Sequence, residues 1–297
     1  MTLSWPWHFV ALSDEDKLHR RELLDLRGSY AQWSVIVVIV AIRIYQGWAT
    51  AFSSVRGASK PPHGPASGWD RPLIAGSLET RRQYFICGLW LLWLFGLSVW
   101  NSGEDYLHLT KALGHVALSQ IPLQVLMSPA AYISTSKPSA SSIFSFLTSV
   151  PQATVTPYHR LFGRVVISPL LFGHATLYLL MFAQSSYPRF SSLLAKRVRD
   201  FDVQCGLLAV SAAIAVLLFV RPRAATGKSQ VRARPAAKSM QERRRSFYIG
   251  HVVFVGVLCV AAYFHVAQAQ RYMGQALGAF VLNGACSLVA VRWGGKL

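Results

Sequence analysis

The stretch YHRLFGRVVISPLLFGH, residues 158–174, stands at the head of a long apolar run and carries a histidine near each end. A second apolar run, GHVVFVGVLCVAAYFH over residues 250–265, has the same arrangement. Ionisable side chains inside a membrane are costly and usually functional. These four side chains are therefore the first candidates for a functional site. They are His159, His174, His251 and His265.

The composition is that of a membrane protein. Of the 297 residues 53% are hydrophobic and 14% are charged, and the mean hydropathy is +0.34, whereas about a quarter of a soluble domain is charged. Several runs approach the roughly 20 apolar residues that cross a bilayer. We predict an all-α fold, a polytopic transmembrane bundle of about seven helices. The predicted spans are 31–50, 83–100, 109–128, 158–183, 204–220, 246–268 and 274–292.

The first thirty residues differ from the rest of the chain because acidic and basic side chains alternate there. They lack a basic segment followed by an apolar one, so no cleaved signal peptide is expected. We predict a non-membrane tail over residues 1–30 and a transmembrane bundle over residues 31–297.

The net charge of +18 has two possible interpretations. A basic surface can bind nucleic acid, but no soluble basic domain is present to do so, and no nucleic-acid partner is predicted. With seven spans, the loops on one side contain 17 Lys and Arg residues and those on the other contain 10. The positive-inside rule then predicts a cytoplasmic C-terminus for a multi-pass protein of the plasma membrane or another endomembrane.

The spacing of the histidines places each pair on one side of its helix. His251 and His265 are 14 residues apart, which corresponds to about 21 Å of rise with facings within about 40°. His159 and His174 are 15 residues apart, about 22 Å and within about 60°. Because the two spans run in the same direction, each helix offers one imidazole at each of two depths.

Haem iron with a histidine on both axial sides is one chemistry that uses such imidazoles, and it carries electrons without an open coordination position. Proton relays, transition-metal sites and unrelated buried histidines are the alternatives. A proton relay usually includes Asp or Glu, and a transported metal favours a carboxylate or thiolate, but these two apolar runs contain no carboxylate. Nearby arginines could bind haem propionates or serve as cytoplasmic anchors. They are Arg160, Arg164 and the run Arg243–Arg245.

Three stretches resemble the ferric reductase transmembrane domain family, which is shared with the membrane part of NADPH oxidases. They are YHRLFGRVVISPLLFGHATLYL, RRRSFYIGHVVFVGVLCVAAYFH and LGHVALSQIPLQVLM, and the resemblance covers about residues 83–292. It implies two haem b groups, an inner one bound by His159 and His251 and an outer one bound by His174 and His265. From their position beside the cytoplasmic-side histidines, Arg160, Arg164 and Arg245 are predicted to bind the cofactor.

The first histidine spacing departs from the family pattern, which has 14 residues where this chain has 15, and Pro169 lies between the two histidines. A π-bulge or a kink at this position would restore the common facing. The outer haem site depends on such a feature.

The chain contains no GxGxxG loop. FAD and NADPH are therefore expected only through a partner, such as a cytosolic flavoprotein. The predicted function is ferric-chelate reductase-like electron transfer from that donor to an external acceptor, a ferric chelate or oxygen. The iron carries the redox chemistry, so no catalytic side chain is predicted. The alternatives are a non-catalytic membrane scaffold, a truncated paralogue with the same fold, or a His-lined metal transporter.

The remaining histidines are given minor roles. His8, His19, His63 and His108 are expected to lie solvated in tails or links. His115 is expected to be a hydrogen-bonding residue of the third span rather than a ligand.

Overall fold

The computed structural model describes residues 7–10, 12–55, 68–74, 79–128, 141–185, 190–219 and 237–292. Within them the fold is all-α without a β-strand, which confirms the predicted fold class. The helices are α1 (Asp14–Val55), α2 (Arg81–Val99), α3 (Tyr106–Ser119), α4 (Ile121–Leu126), α5 (Ile143–Thr148), α6 (Gln152–Phe162), α7 (Ser168–Gln184), α8 (Leu193–Arg197), α9 (Phe201–Phe219), α10 (Ala237–His265) and α11 (Ala267–Arg292).

Five helical segments in the described residues are long and apolar enough to cross a membrane. They coincide with the predicted first, second, fourth, fifth and sixth spans, and the fourth is the continuous segment Gln152–Gln184. The seventh predicted span lies within a single helix, α11.

The third predicted span is divided into α3 and α4 at Gln120. Pro122 lies in the first turn of α4, and because proline has no amide hydrogen it cannot continue the hydrogen bonds of α3. Eleven of the fourteen residues of α3 are buried. This helix therefore packs inside the bundle, which explains why it tolerates polar residues that a lipid-facing helix would not.

The segment between α6 and α7 is a π-helical turn, Gly163–Ile167, placed just before Pro169. The Ser168 hydroxyl donates a 2.6 Å hydrogen bond to the Gly163 carbonyl, five residues earlier. This wider turn accommodates the extra residue between His159 and His174, and it is one of the two features that could restore their common facing.

The first helix begins at Asp14 and continues without a break past residue 30. Leu23, Leu24 and Arg27, in the predicted tail, are buried against the bundle. The division at residue 30 therefore does not coincide with an end of a helix, and the membrane boundary there remains a prediction.

The helix ends gather at two sides of the bundle. We call the side where α10 ends and α11 begins the distal end, and the opposite side the proximal end. At the distal end, Arg20 of α1 donates to the carbonyl of Ser102 before α3. At the proximal end, Asn283 of α11 donates to the Val125 carbonyl of α4.

Candidate functional site

The four candidate histidines form two pairs at two depths. The ring centres of His159 and His251 are 6.3 Å apart, and those of His174 and His265 are also 6.3 Å apart. The first pair, called the proximal pair, joins α6 to the middle of α10. The second, the distal pair, joins α7 to the last residue of α10. The structure thus brings together the side chains that the family resemblance had paired.

Backbone carbonyls orient three of the four rings. His159 Nδ1 lies 2.9 Å from the Gln124 oxygen, and His174 Nδ1 lies 2.8 Å from the Thr110 oxygen. His265 Nδ1 lies 2.6 Å from the Asp202 oxygen. A carbonyl only accepts hydrogen bonds, so Nδ1 carries the proton and Nε2 keeps a free lone pair in each neutral ring. This fixing of the second nitrogen is typical of histidines that bind metals.

The distal rings also rest against glycines of neighbouring helices. A Cβ atom at Gly114 of α3 would lie 2.9 Å from the His174 ring, and one at Gly206 of α9 would lie 2.8 Å from the His265 ring. A real Cβ cannot sit so close without displacing its neighbour. Both positions thus require glycine if the rings are to keep these orientations.

The fourth ring is supported differently. His251 stacks on Phe247, one helical turn earlier in α10, with ring centres 5.9 Å apart and planes 15° apart. Stacking on a side chain of the same helix restricts the ring less than a hydrogen bond to another helix does.

The distance between paired rings fits one metal ion held from both sides. Two metal–nitrogen bonds of about 2 Å, plus the half-widths of two imidazoles, separate the ring centres by about 6 Å. Among the described residues, no group of three or more His, Cys, Asp or Glu side chains is placed to hold a metal. Each pair supplies two ligands, the number that a six-coordinate haem iron takes from a protein.

A buried carboxylate lies near the proximal pair, and the sequence had not indicated it. Glu79, immediately before α2, is 6% exposed. Its Oε1 lies 2.9 Å from Arg164 Nη2 and 3.3 Å from Arg160 Nε. The only feature of the sequence that could have drawn attention to Glu79 is that it precedes Thr80. Thr80 and Gln83 form a capping box, and this box fixes where α2 starts.

The arginines predicted at the cofactor thus occupy different surroundings. Arg160 and Arg164 flank His159 and share Glu79, whereas Arg245 is exposed on α10. The side chains of Arg243 and Arg244 lie outside the described residues, as do His63 and most of the basic loop before α10.

The prediction for His108 was wrong. This residue is 3% exposed and its Nε2 lies 2.9 Å from Nη1 of Arg27, which is itself fully buried. Asp105 caps α3, accepting a hydrogen bond from the His108 amide, so His108 sits in the first helical turn and faces α1. His8 and His19 are exposed, as expected.

His115 is buried and hydrogen-bonded, as expected. It is 6% exposed, and its Nε2 lies 2.9 Å from the Tyr272 hydroxyl and 3.5 Å from Asp25 Oδ1. It is not paired with any of the four candidate histidines.

A charged cluster stabilises the first turn of α9, which orients His265. Arg197 of α8 lies within hydrogen-bonding distance of the Tyr178 hydroxyl and 3.0 Å from Asp202 Oδ2. Burial disfavours the charged guanidinium, but the bond to Tyr178 and the two nearby aspartates outweigh it and raise the pKa of Arg197. The cluster fixes Asp202, whose carbonyl accepts from His265.

Comparison with known proteins gives one match. The family model described as "Ferric reductase like transmembrane component" matches residues 113–262, half of the chain. The matched range contains His159, His174 and His251 and ends three residues before His265. No curated protein and no solved structure matches the chain.

Proposed function

The chain belongs to the ferric reductase-like transmembrane component family, and from this premise we propose that it transfers electrons across a membrane through two b-type haems. Transmembrane domains of this family are generally haem-binding. The observation that carries the proposal is the pair of equal 6.3 Å separations, between His159 and His251 and between His174 and His265.

Bound haem would supply a one-electron carrier at each of the two depths. The chain's own contribution is to bind and orient. The carbonyls of Gln124, Thr110 and Asp202 hold three imidazoles with Nε2 available. Because α6–α7 and α10 run in the same direction, two helices are sufficient to provide both pairs.

The arginines next to the proximal pair are the proposed partners of haem propionates. Guanidinium groups suit carboxylates because they offer a planar fork of donors. Arg160 and Arg164 already share Glu79, which holds them near His159. Arg245, on the outside of α10, is the third proposed partner.

The two ends of the bundle are proposed to face different compartments. The C-terminus, which follows α11 at the proximal end, is proposed to be cytoplasmic on the charge bias of the loops. Electrons would then enter at the proximal end from a separate flavoprotein, which binds FAD and NADPH, and leave at the distal end to a ferric chelate or oxygen. The membrane is proposed to be the plasma membrane or another endomembrane.

The purified protein in detergent provides the test. We expect a reduced-minus-oxidised spectrum of the b type and, in membrane vesicles with an internal reductant, reduction of an external ferric chelate. A folded protein that binds no haem would exclude this function and favour a scaffold. A protein without haem that instead moved a metal ion across the vesicle membrane would favour the His-lined transporter.

A further inference from the structure

Two reciprocal hydrogen bonds between Gln124 and His159 join α4 to α6. Gln124 Nε2 donates a 2.8 Å hydrogen bond to the His159 carbonyl, and His159 Nδ1 lies 2.9 Å from the Gln124 carbonyl that accepts its proton. Each side chain therefore bonds to the backbone of the other residue. The Gln124 side chain thus adds a second contact to the carbonyl that orients a proposed haem ligand.

The other two carbonyls that orient histidine rings belong to residues whose side chains bond elsewhere. The Thr110 hydroxyl donates to the Tyr106 carbonyl within α3, and the Asp202 carboxylate accepts from Arg197. Among the described residues, only Gln124 holds its histidine through both its backbone and its side chain. The distal rings rest on glycines instead.

The orientation of the Gln124 amide is fixed by its surroundings. A carbonyl oxygen can only accept, so the amide nitrogen faces His159 and the amide oxygen faces away from it. That oxygen, Oε1, is buried and has no hydrogen-bond donor within the described part of the chain. A Cβ atom at Gly163 would lie 3.1 Å from Gln124 Nε2. The amide therefore occupies a narrow space in which its one hydrogen bond is the bond to His159.

This bond reaches α6 where its regular hydrogen bonding ends. The His159 carbonyl also accepts from the Gly163 amide at the end of α6, and the π-turn follows at Gly163–Ile167. Helices bend at such irregular turns. Gln124 therefore anchors the His159 backbone to a second helix at the point where α6 could otherwise turn relative to α7.

We propose that Gln124 is a positioning residue for the proximal haem ligand. By holding the His159 backbone, its side chain keeps the Gln124 carbonyl in line with His159 Nδ1. The bond to Nδ1 sets the rotation of the ring and how strongly Nε2 donates to a metal. The inference rests on the proposed function, because the ring has an iron to bind only if a haem is present. The expected effect is on the properties of the ligand and not on the amount of haem.

Gln124→Met tests the inference, because methionine has a similar length and cannot donate a hydrogen bond. We expect the purified protein to keep its haem content. The electron paramagnetic resonance signal of the proximal ferric haem should shift, since this signal depends on the angle between the two axial imidazole planes. That angle is 72° for His159 and His251. The signal of the distal haem, which is the one lost in His265→Ala, should stay unchanged.

The midpoint potential gives a second measurement. A hydrogen bond at Nδ1 makes an imidazole a stronger electron donor and so favours ferric iron. Weakening of this bond in Gln124→Met should therefore raise the ratio of reduced to oxidised proximal haem at a fixed applied potential. We expect an increase of about two- to tenfold, which is the effect of one hydrogen bond, and no change at the distal haem. Spectroelectrochemical titration measures both ratios.

Gln120→Met is the matched control. Gln120 is a buried glutamine four residues earlier, and its side chain bonds to Trp90 and Ser119 rather than to a candidate histidine. The same substitution there should leave both haem signals unchanged. Gln124→Asn keeps the amide but is one methylene shorter, so it should show the same shifts as Gln124→Met. It also provides the measurement if the Met variant does not fold.

The inference is overturned if the Gln124 variants keep the proximal signal and potential of the unchanged protein. It is also overturned if Gln120→Met shifts them equally, because a general loosening of α4 would then explain the result. Loss of the proximal haem from both Gln124 variants would show a purely structural role instead. Absence of haem from the unchanged protein would contradict the proposed function itself, whereas normal haem content with an unshifted proximal signal would contradict only the role of Gln124.

Discussion

The proximal and distal histidine pairs have the same ring separation but different supports. Both distal rings donate to backbone carbonyls and rest on glycines of other helices. In the proximal pair, His159 donates to a carbonyl, while His251 stacks on Phe247 of its own helix. The proximal pair also has a buried carboxylate nearby, Glu79, with two arginines.

This difference indicates how each site can be adjusted. Close-packed backbone fixes the distal rings, so their geometry should tolerate little change. The proximal surroundings consist mainly of side chains and charges, which set the electrostatic potential around a cofactor rather than its position. The variants below separate positional effects at the distal pair from electrostatic effects at the proximal pair.

Removal of one ligand should have the largest effect. We expect His265→Ala to abolish one of two haems and to stop transmembrane reduction, because the remaining haem lies too far from the distal surface, while the proximal haem persists. His159→Ala should instead remove the proximal haem. Haem content by pyridine haemochrome and the difference spectrum measure both, and retention of two haems in His265→Ala would refute the ligand assignment. His115→Ala should keep both haems, since His115 bonds to Tyr272.

Adding a methyl group at a glycine that contacts a distal ring should have the next largest effect. Gly206→Ala and Gly114→Ala would place a methyl group 2.8–2.9 Å from a distal ring, so we expect partial loss of the distal haem alone. Gly256→Ala, on α10 between its two histidines, meets no atom within 4 Å and is the control. Each Gly→Ala change increases the intrinsic stability of its helix by about 1 kcal/mol. A difference in haem content among the three variants therefore reports the clash with the ring alone. Equal haem content in all three variants would show that these two glycines are not needed to keep the distal rings in place.

Loss of the buried carboxylate should shift a potential without removing a haem. Glu79→Gln deletes a negative charge beside the proximal site, which favours the reduced state there. We expect the proximal midpoint potential to rise by roughly 20–60 mV, corresponding to about 0.5–1.4 kcal/mol for one electron, while the distal potential stays constant. Spectroelectrochemical titration measures both. A fall in the proximal midpoint potential, or an equal shift at both haems, would contradict the expectation that the charge of Glu79 acts on the proximal haem only.

Removal of the stacked ring should have the smallest effect. Phe247→Ala leaves His251 without its aromatic neighbour, and such contacts contribute about 0.5–1.5 kcal/mol. We expect the proximal haem to be retained but to transfer severalfold faster to excess apomyoglobin. Phe264→Ala, an exposed aromatic of the same helix, should leave the transfer rate unchanged. An unaltered rate in Phe247→Ala would mean that the stacking does not support His251.

Helical periodicity in the sequence predicted the bundle and the two depths of the histidines, and the family resemblance implied which histidines face each other. The spacing of 15 with Pro169 pointed to either a π-bulge or a kink, and the structure has a π-turn at Gly163–Ile167. The sequence did not predict the contacts that depend on packing between distant helices. Glu79 lies 85 residues from Arg164, and the burial of Arg27 and His108 depends on how α1 packs against α3. Local sequence patterns do not predict contacts between residues so far apart in the chain.

The most direct test of the central claim is the haem content and spin state of the purified protein. With both axial positions filled by imidazole, we predict two b-type haems per polypeptide, both low-spin in the ferric protein by electron paramagnetic resonance. A folded, helical protein with no haem, or with a high-spin ferric signal from a five-coordinate site, would contradict it.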